Sequence, residues 1–325
     1  MKKVISLILS VLMLTAMLSC CGSQEEASGG ALKVAIVQQL DHSSLDEIRV
    51  AIVAQLNALA EEKGITIEID EFNGQNDSSI LNQIGTEAVS DGVDLLIPIA
   101  TTAAQCMITA AEGTDIPIVY AAVSDPASTG LTGHDKVTGT SDALNTAFIL
   151  DMMLAVQPDI QTVGLLYSNS EPNSATPIAQ AKEYLDAKGI AYLEKTGTTA
   201  GEVISAAASL VGRCDAVFTP TDNAIMAAEA SVAETLNEAG IPHYAGADSF
   251  VLSGAFATCG VNYTELGTKT ADIAFDILLG GEIGDFHVMD GGIITVNTET
   301  AEQIGLDYSA FAEMANTVNE VVTGE

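Results

Sequence analysis

The sequence predicts an α/β protein built from two doubly wound parallel-sheet lobes that are joined by a hinge. Short β-branched, apolar segments alternate with segments whose apolar residues recur at helical spacing, an order typical of parallel sheets with crossover helices. This alternation runs through the first half of the chain and then begins again. The length of 325 residues also exceeds that of one average domain.

The first series of segments predicts the N-terminal lobe. In 43–63, Leu45 and Ile48 begin an apolar stripe at helical spacing, and Gly64 follows as a residue suited to end a helix. Residues 93–99 form a nearly continuous apolar run, as expected of a parallel strand covered on both faces. The predicted strands are 33–38, 65–69, 93–99 and 116–120, and the predicted helices are 43–63, 77–90 and 101–112.

The second series predicts the C-terminal lobe, with strands at 162–167, 190–194, 216–219 and 241–244 and helices at 141–156, 174–188, 202–210 and 223–239. A tail follows, with a helix at 264–279, a strand at 292–296 and a last helix near 308–322. We expect this tail to cross between the lobes. The N-terminal lobe would then comprise 31–141 plus about 264–285, and the C-terminal lobe 142–263 plus about 286–325.

The first thirty residues predict export and a lipid anchor. Lys2 and Lys3 precede an apolar stretch over 4–18 that is short for a membrane-spanning helix, so a signal peptide over 1–20 is favoured over an uncleaved anchor. The following Leu-Ser-Cys-Cys-Gly-Ser resembles a bacterial lipobox, with Cys21 as the expected lipidated residue and Cys20 as the alternative. Residues 21–30 read as a flexible tether. We therefore expect the mature protein to be exported and anchored by lipid on the outer face of the cell membrane, or on the periplasmic side of a membrane.

The charge and the missing motifs exclude several functions. A formal net charge of −33 argues against nucleic acid and against binding to anionic lipid through basic patches. Cys106, Cys214 and Cys259 fit no zinc or redox spacing, so free buried thiols are expected. No nucleotide, hydrolase or metalloprotease motif occurs, and the four His show no ligand spacing. We expect no enzyme, no cofactor and no metal.

Small polar residues follow the predicted strands, at the edge where parallel sheets bind ligands. Helix caps alone would explain any single loop, but six such loops at one edge favour a polar pocket. The candidate ligand-binding residues are Gln39, His42, Thr101, Thr102, Ser124, Asp125, Tyr167, Asn169, Glu171, Asp222, Asn223 and Asp248.

A zwitterionic ligand fits the chemistry of these loops. Thr101 and Thr102 open a helix directly after a buried strand, so free N–H groups and two hydroxyls are expected to hold a carboxylate there. Asp222, in the second lobe, is the expected partner of an ammonium group, aided by Asn223 or Asp248. The alternative for Asp222 is a helix N-cap without ligand contact. Together these features predict an amino acid as the ligand.

The same stretches resemble the substrate-binding lipoproteins of bacterial ABC transporters with the type I periplasmic-binding fold, most closely the subfamily linked to aromatic amino acids. The similar stretches are VAIVQQLDHSSLDEIRVAI, VDLLIPIATTAAQ, IPIVYAAVSDPASTGL, GLLYSNSEPNS, FTPTDNAI and GADSFV. The resemblance covers nearly all of residues 31–310 and departs from the usual family pattern in the loop at 39–43.

The resemblance implies three crossovers between the lobes, a ligand trapped on closure, and delivery to a permease with its ATP-binding subunit by a monomeric binding protein. It favours an aromatic amino acid, and Tyr120, Tyr167 and Tyr244, each at the end of a predicted strand, are candidates to face its ring. Two alternatives stay open: a sensor or receptor lipoprotein of the same fold, and an importer component for a branched-chain amino acid, nucleoside or sugar.

Overall fold

The computed structural model describes residues 30–324, and two helix-flanked β-sheets organise this part of the chain. The predicted signal peptide, both candidate lipidation cysteines and the tether up to residue 29 lie outside the described residues. None of the helices within 30–324 is both long enough and apolar enough to span a membrane.

The N-terminal lobe contains the first sheet. Its strands lie in the order β11-β5-β4-β3-β1-β2, and all of their pairings are parallel. The buried strands β3 and β1 lie near its middle, as their apolar sequences predict. The strands are β1 (Leu32–Gln38), β2 (Ile67–Asn73), β3 (Leu95–Ile99), β4 (Ile118–Tyr120), β5 (Val137–Ser141) and β11 (His287–Val288).

Four helices flank this sheet within the described residues: α1 (Ser43–Lys63), α2 (Ser78–Ser90), α3 (Thr101–Ala110) and α10 (Tyr263–Leu278). Gly64 ends α1 in the left-handed conformation, and Asp77 caps α2 by accepting from the backbone N–H of Ser79. Helix α10 packs closely along α1, because a Cβ atom at Gly267 would stand 2.6 Å from the carbonyl oxygen of Ile48. The first lobe is therefore completed by a helix from late in the chain.

The C-terminal lobe contains the second sheet, with strands in the order β13-β12-β10-β9-β8-β6-β7. Its pairings are parallel except for β10 with β12, which is antiparallel. The strands are β6 (Thr162–Tyr167), β7 (Ala191–Thr196), β8 (Ala216–Thr219), β9 (His243–Ala245), β10 (Ala257–Gly260), β12 (Ile293–Asn297) and β13 (Thr317–Val321).

The helices of this lobe cover both faces of its sheet. They are α4 (Thr146–Val156), the 3₁₀ turn Pro172–Ser174, α5 (Ala175–Lys188), α6 (Ala200–Ala208), α7 (Asn223–Met226), α8 (Glu229–Glu238), α9 (Asp248–Leu252), α11 (Thr298–Ile304) and α12 (Phe311–Met314). Cys106, Cys214 and Cys259 are buried free thiols.

The chain passes between the two sheets three times. The crossings follow β5, β10 and β11, in the short segments before α4, α10 and β12. Strand β11 keeps the chain in the first sheet as far as Val288. Three short connections between two sheets are the arrangement that allows one lobe to rotate against the other.

The two-lobe α/β fold class is confirmed, but several predicted elements are wrong. The helix expected near 308–322 is the short α12 followed by β13, whose Val318 and Val321 suit an edge strand beside β12. The helix expected from Ser141 begins only at Thr146, after the side chain of Asn145 caps it. The single helix expected over 223–239 is two helices, α7 and α8. Strands β5, β10 and β11 were not predicted.

Candidate functional site

A cavity lies between the two lobes, at the carboxyl ends of strands from both sheets. It contains about 390 Å³ of space between atoms, a volume that includes open solvent at its mouth. The lining residues are His42, Ser44, Leu45, Ala100, Thr101, Ala122, Ser124, Asp142, Asn173, Thr221, Asp222, Asn223, Met226, Ala247, Ser249, Phe250 and Tyr263. Both polar and apolar groups therefore face one enclosed space, as in sites for small ligands.

The N-terminal wall is built where β3 leads into α3. Ala100, directly after the strand, has a positive φ of 78°, and Ala122, after β4, has a φ of 54°. Such angles are costly for residues with a Cβ atom and are found mostly where function requires the backbone geometry. The turn at Ala100 places the first residue of α3, Thr101, on the cavity wall. The backbone N–H of Thr102 donates to Gln39 Oε1 at 3.2 Å.

Asp142 lies at the first crossing between the lobes and faces the cavity. Its carboxyl group is 6% exposed, accepts from the hydroxyl of Ser124 at 2.9 Å and has a longer contact of 3.4 Å with the hydroxyl of Tyr263. Burial raises the pKa of Asp142. Because few donors contact this carboxylate, it can accept further hydrogen bonds from a ligand.

Asp222 faces the cavity from the C-terminal wall, and donors of its own lobe occupy its oxygens. One oxygen caps α7 by accepting from the N–H of Ile225 at 3.0 Å. The other accepts from the N–H of Ser168 at 2.7 Å and from the hydroxyl of Ser174 at 2.6 Å. Burial raises the pKa of Asp222. The helix-cap geometry that the sequence left open is present, and it coexists with a place on the cavity wall.

A chain of hydrogen bonds near the cavity joins the two lobes at Gln39 and His42. Gln39 Nε2 donates to Glu171 Oε1 at 3.0 Å, and Asn223 Nδ2 donates to Glu171 Oε2 at 2.7 Å. His42 Nε2 lies 3.0 Å from Asn223 Oδ1. Burial and then the nearby Asp222 raise the pKa of Glu171 to about 8, whereas burial lowers the pKa of His42. These contacts hold the lobes in a closed arrangement.

Other predicted site residues lie outside the cavity lining. Tyr167 donates to Glu194 at 2.7 Å, and the exposed Asn169 contacts Thr196 at 3.4 Å. Asp125 accepts from Thr176 of the other lobe at 2.7 Å. Burial and then Glu47 raise the pKa of Asp248 to about 6, but only its neighbours Ala247, Ser249 and Phe250 line the cavity.

Of the twelve predicted residues, the structure thus brings His42, Thr101, Ser124, Asp222 and Asn223 onto one cavity wall or the other. Gln39 and Glu171 are buried behind that wall, and Thr102 contacts it through its backbone. Tyr120 and Tyr244 pack within hydrophobic clusters and do not line the cavity.

Four cavity-lining residues were not predicted from the sequence: Asp142, Asn173, Phe250 and Tyr263. Asp142 directly follows the unrecognised strand β5, which ends in Gly139-Thr140-Ser141. Recognising β5 would have identified Asp142, because it follows the carboxyl end of a strand like the other candidates.

Several polar atoms on the cavity wall are buried without a hydrogen-bond partner among residues 30–324. They are His42 Nδ1, Ser44 Oγ, Thr101 Oγ1, Asn173 Oδ1 and Ser249 Oγ. An unsatisfied buried polar group costs about 1–3 kcal/mol, so these atoms are suited to a polar ligand. The described residues contain no group of three or more His, Cys, Asp or Glu that can hold a metal ion.

Sequence comparison identifies relatives over nearly the whole chain. Residues 33–317 match the family model of the ABC transporter substrate binding proteins. The chain is 32% identical over 323 residues to a protein of Clostridioides difficile named tyrosine-binding protein, which covers 94% of this chain and 93% of the relative.

Solved structures show the same fold. A conserved domain protein of Vibrio cholerae matches with a TM-score of 0.83 at 29% identity, over 89% of this chain and 100% of that chain. An ABC domain of Streptococcus pneumoniae in complex with L-Trp matches with a TM-score of 0.82 at 27% identity, over the same shares. A ligand-free, open substrate-binding protein of Clostridium difficile matches with a TM-score of 0.68 at 32% identity, over 90% of this chain and 100% of that chain. The chain belongs to the family of ABC transporter substrate-binding proteins.

Proposed function

We propose that this protein captures an aromatic amino acid between its lobes and delivers it to an ABC permease. One observation carries the proposal. Two buried carboxyl groups, Asp142 and Asp222, line the cavity, while no Lys or Arg among the described residues does. A buried carboxylate without a cation is costly, so a ligand with an ammonium group supplies the missing counter-charge.

The carboxylate of an amino acid would fit at the N-terminus of α3. Thr101 is the first residue of that helix, and its unpartnered hydroxyl lies among N–H groups that the helix leaves free. A helix N-terminus favours anions, and a hydroxyl beside it adds a donor. An α-carboxylate at Thr101 and an α-ammonium group at Asp142 together describe an amino acid.

The apolar part of the lining supports an aromatic side chain. Phe250, Tyr263, Leu45 and Met226 supply this part of the cavity. Rings of Phe and Tyr pack well against a ligand ring in offset or edge-to-face arrangements. A relative named for tyrosine binding and a structural neighbour that holds L-Trp support the same ligand class.

The closed arrangement also supports ligand capture. The structure is more similar to the L-Trp complex, with a TM-score of 0.82, than to the ligand-free open protein, with 0.68, although its sequence identity to the open protein is higher. Closure about the three crossings would trap the ligand and create the surface that the permease recognises.

The proposal includes export and anchoring. The signal peptide over 1–20 would be removed, Cys21 would carry the lipid, and the tether to residue 30 would let a monomeric binding protein reach the permease and its ATP-binding subunit. The lobes would move as the units 31–141 plus about 264–285 and 142–263 plus about 286–325. Mass spectrometry of the N-terminal peptide tests Cys21 against Cys20.

The ligand is tested directly by fluorescence, since the chain contains no Trp. Added L-tryptophan is the only indole in the sample, so a saturable shift of its emission reports burial in the cavity. A thermal-shift panel of L-tryptophan, L-tyrosine, L-phenylalanine, L-leucine, a nucleoside and a sugar runs alongside. A ligand at a hundred times its Kd stabilises by about 2.7 kcal/mol. If only the last three compounds raise the melting temperature, the aromatic ligand is excluded.

A further inference from the structure

The hydrogen bonds behind the cavity wall form a continuous network between the lobes. We infer that Glu171 is the latch of the closed state: its carboxyl group holds Gln39 of the opposite lobe and thereby sets how long the lobes stay closed around a ligand, without touching the ligand. The inference rests on the proposed function, because it assumes that closure traps a ligand.

Glu171 connects the two lobes through its hydrogen bond to Gln39. Its side chain is 4% exposed and follows β6 in the C-terminal lobe, whereas the fully buried Gln39 follows β1 in the N-terminal lobe. The Gln39–Glu171 hydrogen bond of 3.0 Å spans 132 residues of sequence. Separating the lobes to admit a ligand must break this bond and expose the carboxyl group to water.

Groups near the cavity hold both Gln39 and Glu171 in place. Gln39 Oε1 accepts from the N–H of Thr102, so the amide group of Gln39 is oriented with its Nε2 toward Glu171. The other oxygen of Glu171 accepts from Asn223, whose Oδ1 lies against His42, a second residue of the loop after β1. The C-terminal lobe thus holds the loop 39–42 at two points, Gln39 and His42.

Neither Gln39 nor Glu171 lines the cavity. Thr101, His42 and Asn223 line it. Loss of the Gln39–Glu171 bond should therefore leave the ligand contacts intact and shorten the life of the closed state.

The test is a double-mutant cycle read by the dissociation rate of L-tryptophan, measured by stopped-flow fluorescence. Gln39→Ala and Glu171→Ala should each raise the dissociation rate about tenfold, and the double variant should be no faster than the faster single variant, because the same bond is lost. Asn169→Ala is the matched control. It alters an exposed residue of the same loop whose side chain hydrogen-bonds to Thr196 within the C-terminal lobe, and its rate should equal that of the parent.

A purely structural role of Glu171 has a different signature. It would lower the melting temperature of the ligand-free protein and leave the dissociation rate of L-tryptophan unchanged, which overturns the inference. Rates that multiply in the double variant also overturn it. Glu171→Leu, whose side chain has no acceptor for Gln39, provides the same readout if Glu171→Ala does not fold.

A second arm does not depend on the ligand. Gln39→Lys places an ammonium group against the Glu171 carboxyl group, so small-angle X-ray scattering of the ligand-free variant should give a smaller radius of gyration than the parent. An unchanged radius contradicts the latch. If L-tryptophan fails to bind the parent, the proposed ligand is wrong, and this scattering result still decides the latch.

Discussion

Asp142 and Asp222 face the same cavity from opposite walls, yet their surroundings differ. Asp222 accepts two backbone N–H groups and a hydroxyl, all within 3.0 Å and all from its own lobe. Asp142 has one hydroxyl at 2.9 Å and a second contact at 3.4 Å. A carboxylate whose acceptor sites are used stabilises the fold, and one whose sites are free is available to a ligand. Under the proposed function, this difference makes Asp142 the expected main partner of the ligand ammonium group.

The same substitution at both positions gives the sharpest test of this difference. Asp142→Asn removes the charge opposite the ligand ammonium group but keeps an acceptor for Ser124. We expect the affinity for L-tryptophan to fall by about 2–5 kcal/mol, which is roughly 30-fold or more, with little change in the melting temperature of the ligand-free protein. Calorimetric titration and thermal unfolding measure the two quantities. Unchanged affinity would show that Asp142 does not interact with the ligand.

The N-terminal wall offers a second contrast, between adjacent threonines. Both hydroxyls are buried without a partner among the described residues, but only Thr101 lines the cavity. Thr101→Val should weaken binding by about 1.5–3 kcal/mol, the usual value of a hydrogen bond to a charged group. Thr102→Val should weaken it less, because the contribution of Thr102 is its backbone N–H. Equal losses in the two variants would contradict this assignment.

Burial raises the pKa of Glu171, as it does for both aspartates, and the Glu171 carboxyl group also holds Gln39 of the opposite lobe. Its pKa is raised to about 8 in the closed protein, so closure holds a proton on a group that ionises near pH 4.3 when exposed. A raised pKa favours the closed state at low pH, and that advantage is lost as the pH rises toward the raised value.

We therefore expect L-tryptophan binding to take up protons at pH 7. Titration calorimetry in buffers of different ionisation enthalpy measures this uptake, and Glu171→Gln should reduce it. A proton count that is the same in parent and variant would rule out Glu171 as the site.

The smallest expected change in affinity belongs to Asp222. Asp222→Asn keeps one oxygen for the α7 cap but turns an NH₂ group toward the N–H of Ser168, which then lacks an acceptor. The free energy of unfolding should fall by about 1–3 kcal/mol, with a smaller loss of affinity than in Asp142→Asn. Denaturant unfolding and titration of the same sample separate these effects. A large loss of affinity with full stability would restore Asp222 as the ammonium partner.

Much of the site was predictable, because strand β3 is an uninterrupted apolar run and only Ala100 separates it from Thr101. Asp142 was not, because β5 reads Val-Thr-Gly-Thr-Ser and lacks a strand pattern. Its Gly139 is required by tertiary packing, because a Cβ atom there would clash with the carbonyl oxygen of Tyr120.

The hydrogen bonds that Asp222 accepts could not be predicted from the sequence either, since the donors Ser168 and Ser174 lie 54 and 48 residues away along the chain. An Asp before a helix is a recognisable cap, but the number of its free acceptor sites depends on contacts that only the fold creates.

The packing of α10 against α1 has a consequence for biosynthesis. The N-terminal lobe needs a helix that begins at Tyr263, so it cannot finish folding while only its first 141 residues have left the ribosome or crossed the membrane. Most of the C-terminal lobe emerges before that helix does, and contacts of such long sequence separation form slowly. The N-terminal lobe thus stays incomplete until most of the chain has been made.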